Sequence, residues 1–204
     1  DVGVRVARRF GRSLLELGGN NATIVAPSAR LDLAVRAITF AAAGTAGQRC
    51  TTLRRLFVHA SHHESLLGKL RQAYASLPVG NPLDAGTLVG PLIDRAAFES
   101  MQRALQQARA EGGVVWGGER VAAGGGESAW YARPALVSSA RPLQVSFEET
   151  FAPILYVQPY EPLEAAIAGG WLAPGALAVI EERKGVAVEL PAGVTAIDTR
   201  AWGD

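Results

Sequence analysis

The feature that most limits what this chain can become is a regular exchange of short β-type runs with helical runs along its length. Residues 22–26, 54–59, 114–116, 130–137 and 154–160 are short, rich in aliphatic and aromatic side chains, and predicted as strands. Residues 2–10, 31–43, 61–77 and 94–111 repeat apolar side chains at helical spacing. Cap candidates lie within residues 28–32 for the second helix and at Ser61 for the third, and Gly44 and Gly47 are predicted to stop the second. Further elements are expected as strands at 13–17, 176–180 and 194–197 and a short helix at 162–168. Strands and helices alternating at these lengths predict an α/β fold with a mostly parallel sheet and flanking helices. The glycine run at 124–126 does not follow a strand and open a helix, so it is predicted to be a surface loop, not a phosphate cradle.

With 204 residues the chain can build one substantial domain, or one domain and a fragment of another. Its formal net charge of +1, without any block of like charge, argues against nucleic acid or an anionic membrane surface as partner. The longest apolar run, residues 38–47, is too short to span a bilayer. Met101 is the only methionine, so Asp1 is read as an internal residue and the sequence as a fragment or excised piece. The single cysteine cannot form an intrachain disulfide, which makes a cytoplasmic location the default expectation.

Three islands look unlike scaffold. The first is Glu16-Leu17-Gly18-Gly19-Asn20-Asn21, a carboxylate at the end of an apolar run followed by two glycines. The carboxyl ends of strands are where α/β sheets present functional side chains, and burial there would suit Glu16 to accept a proton near neutral pH. An exposed Glu at an ordinary turn fits the hexapeptide equally well. The second island runs from Gly44 to Thr52 around Gly47-Gln48-Arg49-Cys50, and its glycines let backbone approach closely. Arg49 beside Cys50 favours the thiolate, the nucleophilic form of a thiol. The alternative is a helix stop followed by a cysteine that plugs the core. The third is Glu148-Glu149-Thr150-Phe151-Ala152-Pro153, which alone would pass for a solvated turn. His59, His62 and His63 cluster near a helix start and are expected to be exposed, since no Cys or acidic partners stand at metal-ligand spacing.

In this order and at this approximate spacing the islands resemble the aldehyde dehydrogenase superfamily, from residue 1 to about Ala168. The double asparagine at 20 and 21, the 44–52 segment and Glu-Thr-Phe-Ala-Pro-Ile-Leu-Tyr at 149–156 look most like the antiquitin branch, which oxidises α-aminoadipic semialdehyde. The resemblance implies a truncated catalytic domain of the aldehyde dehydrogenase fold. Residues 1–26 would be a remnant of the nucleotide-binding domain, and 27–204 the thiol-bearing domain with a shortened C-terminal part. It implies NAD or NADP as cofactor and an aldehyde as substrate, with a homo-oligomer or a nucleotide-binding domain elsewhere as protein partner. Cys50 would be the nucleophile and Glu16 the general base. Gly18, Glu149 and Phe151 would face the cofactor, Arg49 would anchor a remote substrate carboxylate, and no metal is implied.

Two departures stand out. Most of the nucleotide-binding half is missing, so the 204 residues alone are expected to bind NAD weakly and to be inactive. Near the C-terminus the family's long helix is read as deleted, and Asp198 stands where the family has asparagine. A decayed or repurposed domain with a structural role therefore stays open beside a working dehydrogenase, and a cofactor-free thioesterase stays open behind both.

Overall fold

The computed structural model describes residues 2–9, 12, 14, 18–123, 128–162, 190 and 194–196. The predicted strands at 13–17 and 176–180, the helix at 162–168 and the glycines at 124–126 therefore lie wholly or almost wholly outside the described residues, while 194–196 carry no strand.

Helix α1 (Val2–Ala7) precedes a five-stranded sheet. Its strands are β1 (Asn21–Val25), β2 (Leu53–His59), β3 (Val114–Trp116), β4 (Ala135–Ser138) and β5 (Ile154–Tyr160), in spatial order β1-β2-β5-β4-β3. All neighbours pair in parallel except β3, which runs antiparallel to β4 at the edge. The predicted α/β class and mostly parallel sheet are what the chain forms. β1 falls within residues 1–26 in chain order, and its five residues pair with β2 in this same sheet.

Both faces of the sheet are covered, which is why central β2 and β5 are buried at nearly every position instead of alternating. Helices α2 (Leu31–Ala43) and α3 (Ala60–Ala75) pack on one face, bringing Ile38, Leu66 and Leu70 against Leu56, Val58, Leu155 and Val157. Helix α4 (Arg95–Ala110) covers the other, where Met101, Leu105 and Ala108 meet Val137, Ile154 and Tyr156. Successive β5 residues thus serve opposite cores. Among the described residues no helix is long and apolar enough to cross a membrane.

Several local expectations are corrected. The alternating run at 130–137 is a strand only over β4, and all four β4 residues are buried because β5 and β3 flank it. Trp130 and Ala132 make isolated bridges to Leu92 and Arg120 instead. Helix α2 starts at Arg30 without a side-chain cap, and the Arg30 guanidinium pairs with Asp32 at 2.8 Å on the surface. Helix α3 is capped by His59, whose ring accepts from the Ser61 N–H; Ser61 is not the cap. His59, His62 and His63 are half-buried, not exposed. His62 meets the Pro27 carbonyl at 2.7 Å and His63 meets Glu64 at 3.1 Å.

Candidate active site

Each island that reads as chemistry stands directly before a strand. Residues 18–20 lead into β1, residues 44–52 into β2 and residues 148–153 into β5. These three strands are parallel neighbours, with Asn21 opposite Leu53 and Arg55 opposite Tyr156, so their beginnings share one edge of the sheet. The described site therefore gathers at the amino ends of the strands, not at the carboxyl ends where α/β sheets usually place ligands. Glu16 lies outside the described residues.

The approach to Cys50 is an unusual piece of backbone. After α2 a 3₁₀ turn at Gly44–Gly47 holds Thr45, Ala46 and Gly47 in the left-handed region, at φ of 52°, 53° and 69°. Non-glycine residues avoid that region, and strain of this kind persists where surrounding structure over-determines it. Gly44 itself is not left-handed; a side chain there would press on the Arg49 guanidinium, 2.9 Å from a Cβ. Gly47 is needed twice over, for its torsion and because a Cβ would collide with the Ala152–Pro153 peptide of the third island.

Side chains then lock the loop. Gln48 accepts from the Ile93 N–H at 2.9 Å and donates to the Pro91 carbonyl at 3.2 Å. Asn21 donates from Nδ2 to the carbonyls of Cys50 (2.6 Å) and Thr52 (3.0 Å), so part of the first island grips the second. Asn20 reaches the Ser146 carbonyl at 3.0 Å. Cys50 is left exposed, which removes the core-plug alternative.

Arg54, the second residue of β2, is the residue the sequence reading missed. Its side chain is 2% exposed, and all five of its N–H donors are used. Nε donates to Gly19 O, Nη1 to the carbonyls of Gly47 and Thr150, and Nη2 to Arg49 O and to Glu149 Oε1 at 2.9 Å. One guanidinium thus joins all three islands. Burial pushes its pKa down, and the hydrogen bond and charge of Glu149 oppose that shift. The signal was available: Leu-Arg-Arg-Leu-Phe-Val places consecutive arginines on opposite faces of a strand too apolar to be exposed.

Around these contacts lies a cleft of about 560 Å³ lined by Gly18, Gln48, Arg49, Cys50, Thr51, Glu149 and Phe151. Every described candidate residue from the sequence faces it. Glu149 gives one carboxylate oxygen to Arg54, while Oε2 lies where a side chain on Gly18 would collide with it. Phe151 is about half exposed, with its ring 5.2 Å from the Arg54 guanidinium. Arg49 is half-buried, its guanidinium 5.8 Å from the exposed Phe40 ring, and no carboxylate among the described residues pairs with it. The arrangement offers an accessible thiol, a cation with no acidic partner among the described residues beside an aromatic ring, and a carboxylate across the cleft. Among the described residues no cluster of His, Cys, Asp and Glu could hold a metal ion.

Residues 1–169 match the family model described as the aldehyde dehydrogenase family. An alpha-aminoadipic semialdehyde dehydrogenase of Mus musculus is 48% identical over 159 residues, which cover 77% of this chain and 29% of that protein. An aldehyde dehydrogenase family 7 member A1 of Pisum sativum is 46% identical over 164 residues, covering 80% of this chain and 32% of that one. The structure of betaine aldehyde dehydrogenase from Staphylococcus aureus in complex with NAD+ superposes with a TM-score of 0.76 at 26% identity, covering 82% of this chain and 34% of that one. The chain spans about a third of the length of these relatives.

Proposed function

The chain belongs to the aldehyde dehydrogenase family, and on that footing we propose that it is the thiol-bearing part of an enzyme that oxidises a carboxylate-bearing semialdehyde to the acid with NAD or NADP. The observation that carries this reading is the convergence of Cys50, Arg49, Glu149 and Phe151 on one cleft. Arrival of the described parts of all three islands there is what a cysteine nucleophile with an adjacent cofactor requires.

The Cys50 thiolate attacks the aldehyde carbon to give a thiohemiacetal, and the Cys50 N–H donates to the oxygen that gains charge. NAD or NADP, when bound, supplies the hydride acceptor that turns the thiohemiacetal into a thioester. Glu16 is the proposed base that activates water, which hydrolyses the thioester, releases the acid and returns the thiol. The cleft suits a nicotinamide nucleotide: Glu149 Oε2 has no hydrogen-bond partner among the described residues and can accept from a ribose hydroxyl, while the half-exposed Phe151 ring offers an apolar wall. Gly18 matters for that carboxylate, since no larger residue leaves it room.

The substrate class rests on Arg49, a guanidinium beside the nucleophile with no described acidic partner. A charge-assisted Arg–carboxylate pair partly shielded from water contributes about 1.5–3 kcal/mol, or roughly one to two orders of magnitude in binding. Assayed within a complete dehydrogenase polypeptide, Arg49→Ala is expected to raise KM for α-aminoadipic semialdehyde about 10- to 100-fold. KM for hexanal, which has no carboxylate, should change much less. Equal losses for both aldehydes would reject the anchor and leave the oxidation itself standing, whereas no hydride transfer from either aldehyde to NAD or NADP would reject the proposed activity.

A further inference from the structure

Resting on the reading of Cys50 as nucleophile, we propose that Arg54 is a positioning residue that orients and polarises the Arg49–Cys50 peptide, so that the Cys50 N–H is held ready for the oxyanion. A trans peptide is planar, so its carbonyl and its N–H point in opposite directions. The carbonyl of this peptide belongs to Arg49, and it accepts from Arg54 Nη2 at 3.2 Å and from the Thr52 N–H at 3.0 Å. Its N–H belongs to Cys50 and points away from Arg54. Among the described residues nothing accepts that N–H. The following peptide is fixed as well, because Asn21 holds the Cys50 carbonyl at 2.6 Å. Both peptide planes that flank the nucleophile are therefore pinned before any substrate arrives.

Charge matters beside geometry. A cation on the carbonyl draws electron density through the amide and makes its N–H a stronger donor, and the Arg54 side chain that supplies the charge is almost wholly buried. The same guanidinium holds Glu149 Oε1, so one side chain sets the nucleophile loop and the carboxylate across the cleft in a single register. Lysine cannot reproduce this, since a point charge with three donors does not replace a planar fork with five.

Two thiol reagents separate positioning from mere support of the fold. p-Nitrophenyl acetate acylates Cys50 through a tetrahedral oxyanion: the S–C bond forms, the ester C–O bond breaks and p-nitrophenolate leaves. Iodoacetamide alkylates the same thiolate by direct displacement of iodide, with no oxyanion. In the 204-residue chain, with the rate of Cys50→Ser subtracted, Arg54→Lys is expected to slow p-nitrophenolate release about 10- to 100-fold, less than the roughly 100- to 1000-fold that outright loss of an oxyanion donor costs. Alkylation should slow by no more than about threefold, because lysine keeps the positive charge. Arg54→Gln, which keeps two donors without charge, replaces it if the lysine variant lacks native ellipticity; its acylation should again fall more than its alkylation. Equal slowing of the two reactions, no slowing of either, or loss of fold in both variants would overturn the positioning role. A wild-type chain that releases no p-nitrophenolate would overturn the proposal together with the reading of Cys50 as nucleophile. Neither reagent needs hydride transfer, so a failure of the dehydrogenase reading shows separately.

Discussion

Cys50→Ser is expected to lower aldehyde oxidation by about 10⁴-fold or more, as loss of a covalent nucleophile does elsewhere, while shifting stability by no more than about 0.5 kcal/mol. The two halves of this expectation come from different observations. Cys50 is exposed and its sulfur makes no hydrogen bond with a described residue, so the fold loses almost nothing when oxygen replaces sulfur. The pinned loop does not depend on it either, since Asn21 and Arg54 hold backbone carbonyls that serine retains. Chemistry does depend on it. A thiol ionises within reach of neutral pH and a serine hydroxyl does not without a strong base beside it, and none of the described residues around Cys50 is such a base. The measurements are nicotinamide reduction within a complete dehydrogenase polypeptide, and the denaturant midpoint of the 204-residue chain. Labelling of Cys50 by iodoacetamide in the native, unmutated protein is the matching expectation, since the thiol is free and exposed. Labelling only after denaturation would contradict both the exposure and the assignment.

How much of this was legible beforehand depends on what each residue type announces. The class of fold followed from period and length, and α2 and β5 begin and end where the apolar pattern does. Cys50, Arg49 and Glu149 could be singled out because thiols, cations and carboxylates carry recognisable chemistry at recognisable spacing. Their convergence could not be read in the same way, because it depends on strand order. The segments before β1, β2 and β5 meet only because β5 inserts beside β2 in space, far from it in sequence. Arg54 was missed for a related reason. It was read as the first residue of a strand, and its five partners belong to three segments, so no local window contains its role. Caps failed by competition among neighbours. His59 offers a ring nitrogen one residue ahead of α3, so Ser61 turns both its N–H and its hydroxyl to that nitrogen instead of capping the helix itself. Gly47 was legible as a glycine that matters, read both as a point of close backbone approach and as a helix stop, and the close approach to Ala152 is what decides.

That close approach leads to the largest expected change in stability. Gly47→Ala is expected to cost about 2–5 kcal/mol, the sum of two separable terms. The torsional term is about 1–2 kcal/mol, because φ of +69° is unfavourable for any residue with a Cβ. The packing term adds about 1–3 kcal/mol, because the new methyl would strike the Ala152–Pro153 backbone, which cannot rotate aside as a side chain would. Two other glycines isolate these terms. Gly86 is left-handed at φ +91° with nothing within 4 Å of an added Cβ, so Gly86→Ala should show the torsional cost alone. Gly68 lies inside α3 with the same open space and no left-handed torsion, so Gly68→Ala should stabilise by about 0.5–1 kcal/mol. Denaturant unfolding of the three variants should rank them Gly68→Ala, then Gly86→Ala, then Gly47→Ala in falling midpoint, with the slopes unchanged. The functional consequence follows from where the collision occurs. Ala152 lies three residues after Glu149, so pushing the two segments apart would widen the cleft between Cys50 and the Glu149 carboxylate proposed to face the cofactor. Hydride transfer should then fall even in conditions where the variant is fully folded. Equal stability losses at Gly47 and Gly86 would mean that the second and third islands are not in the tight contact that assembles the site.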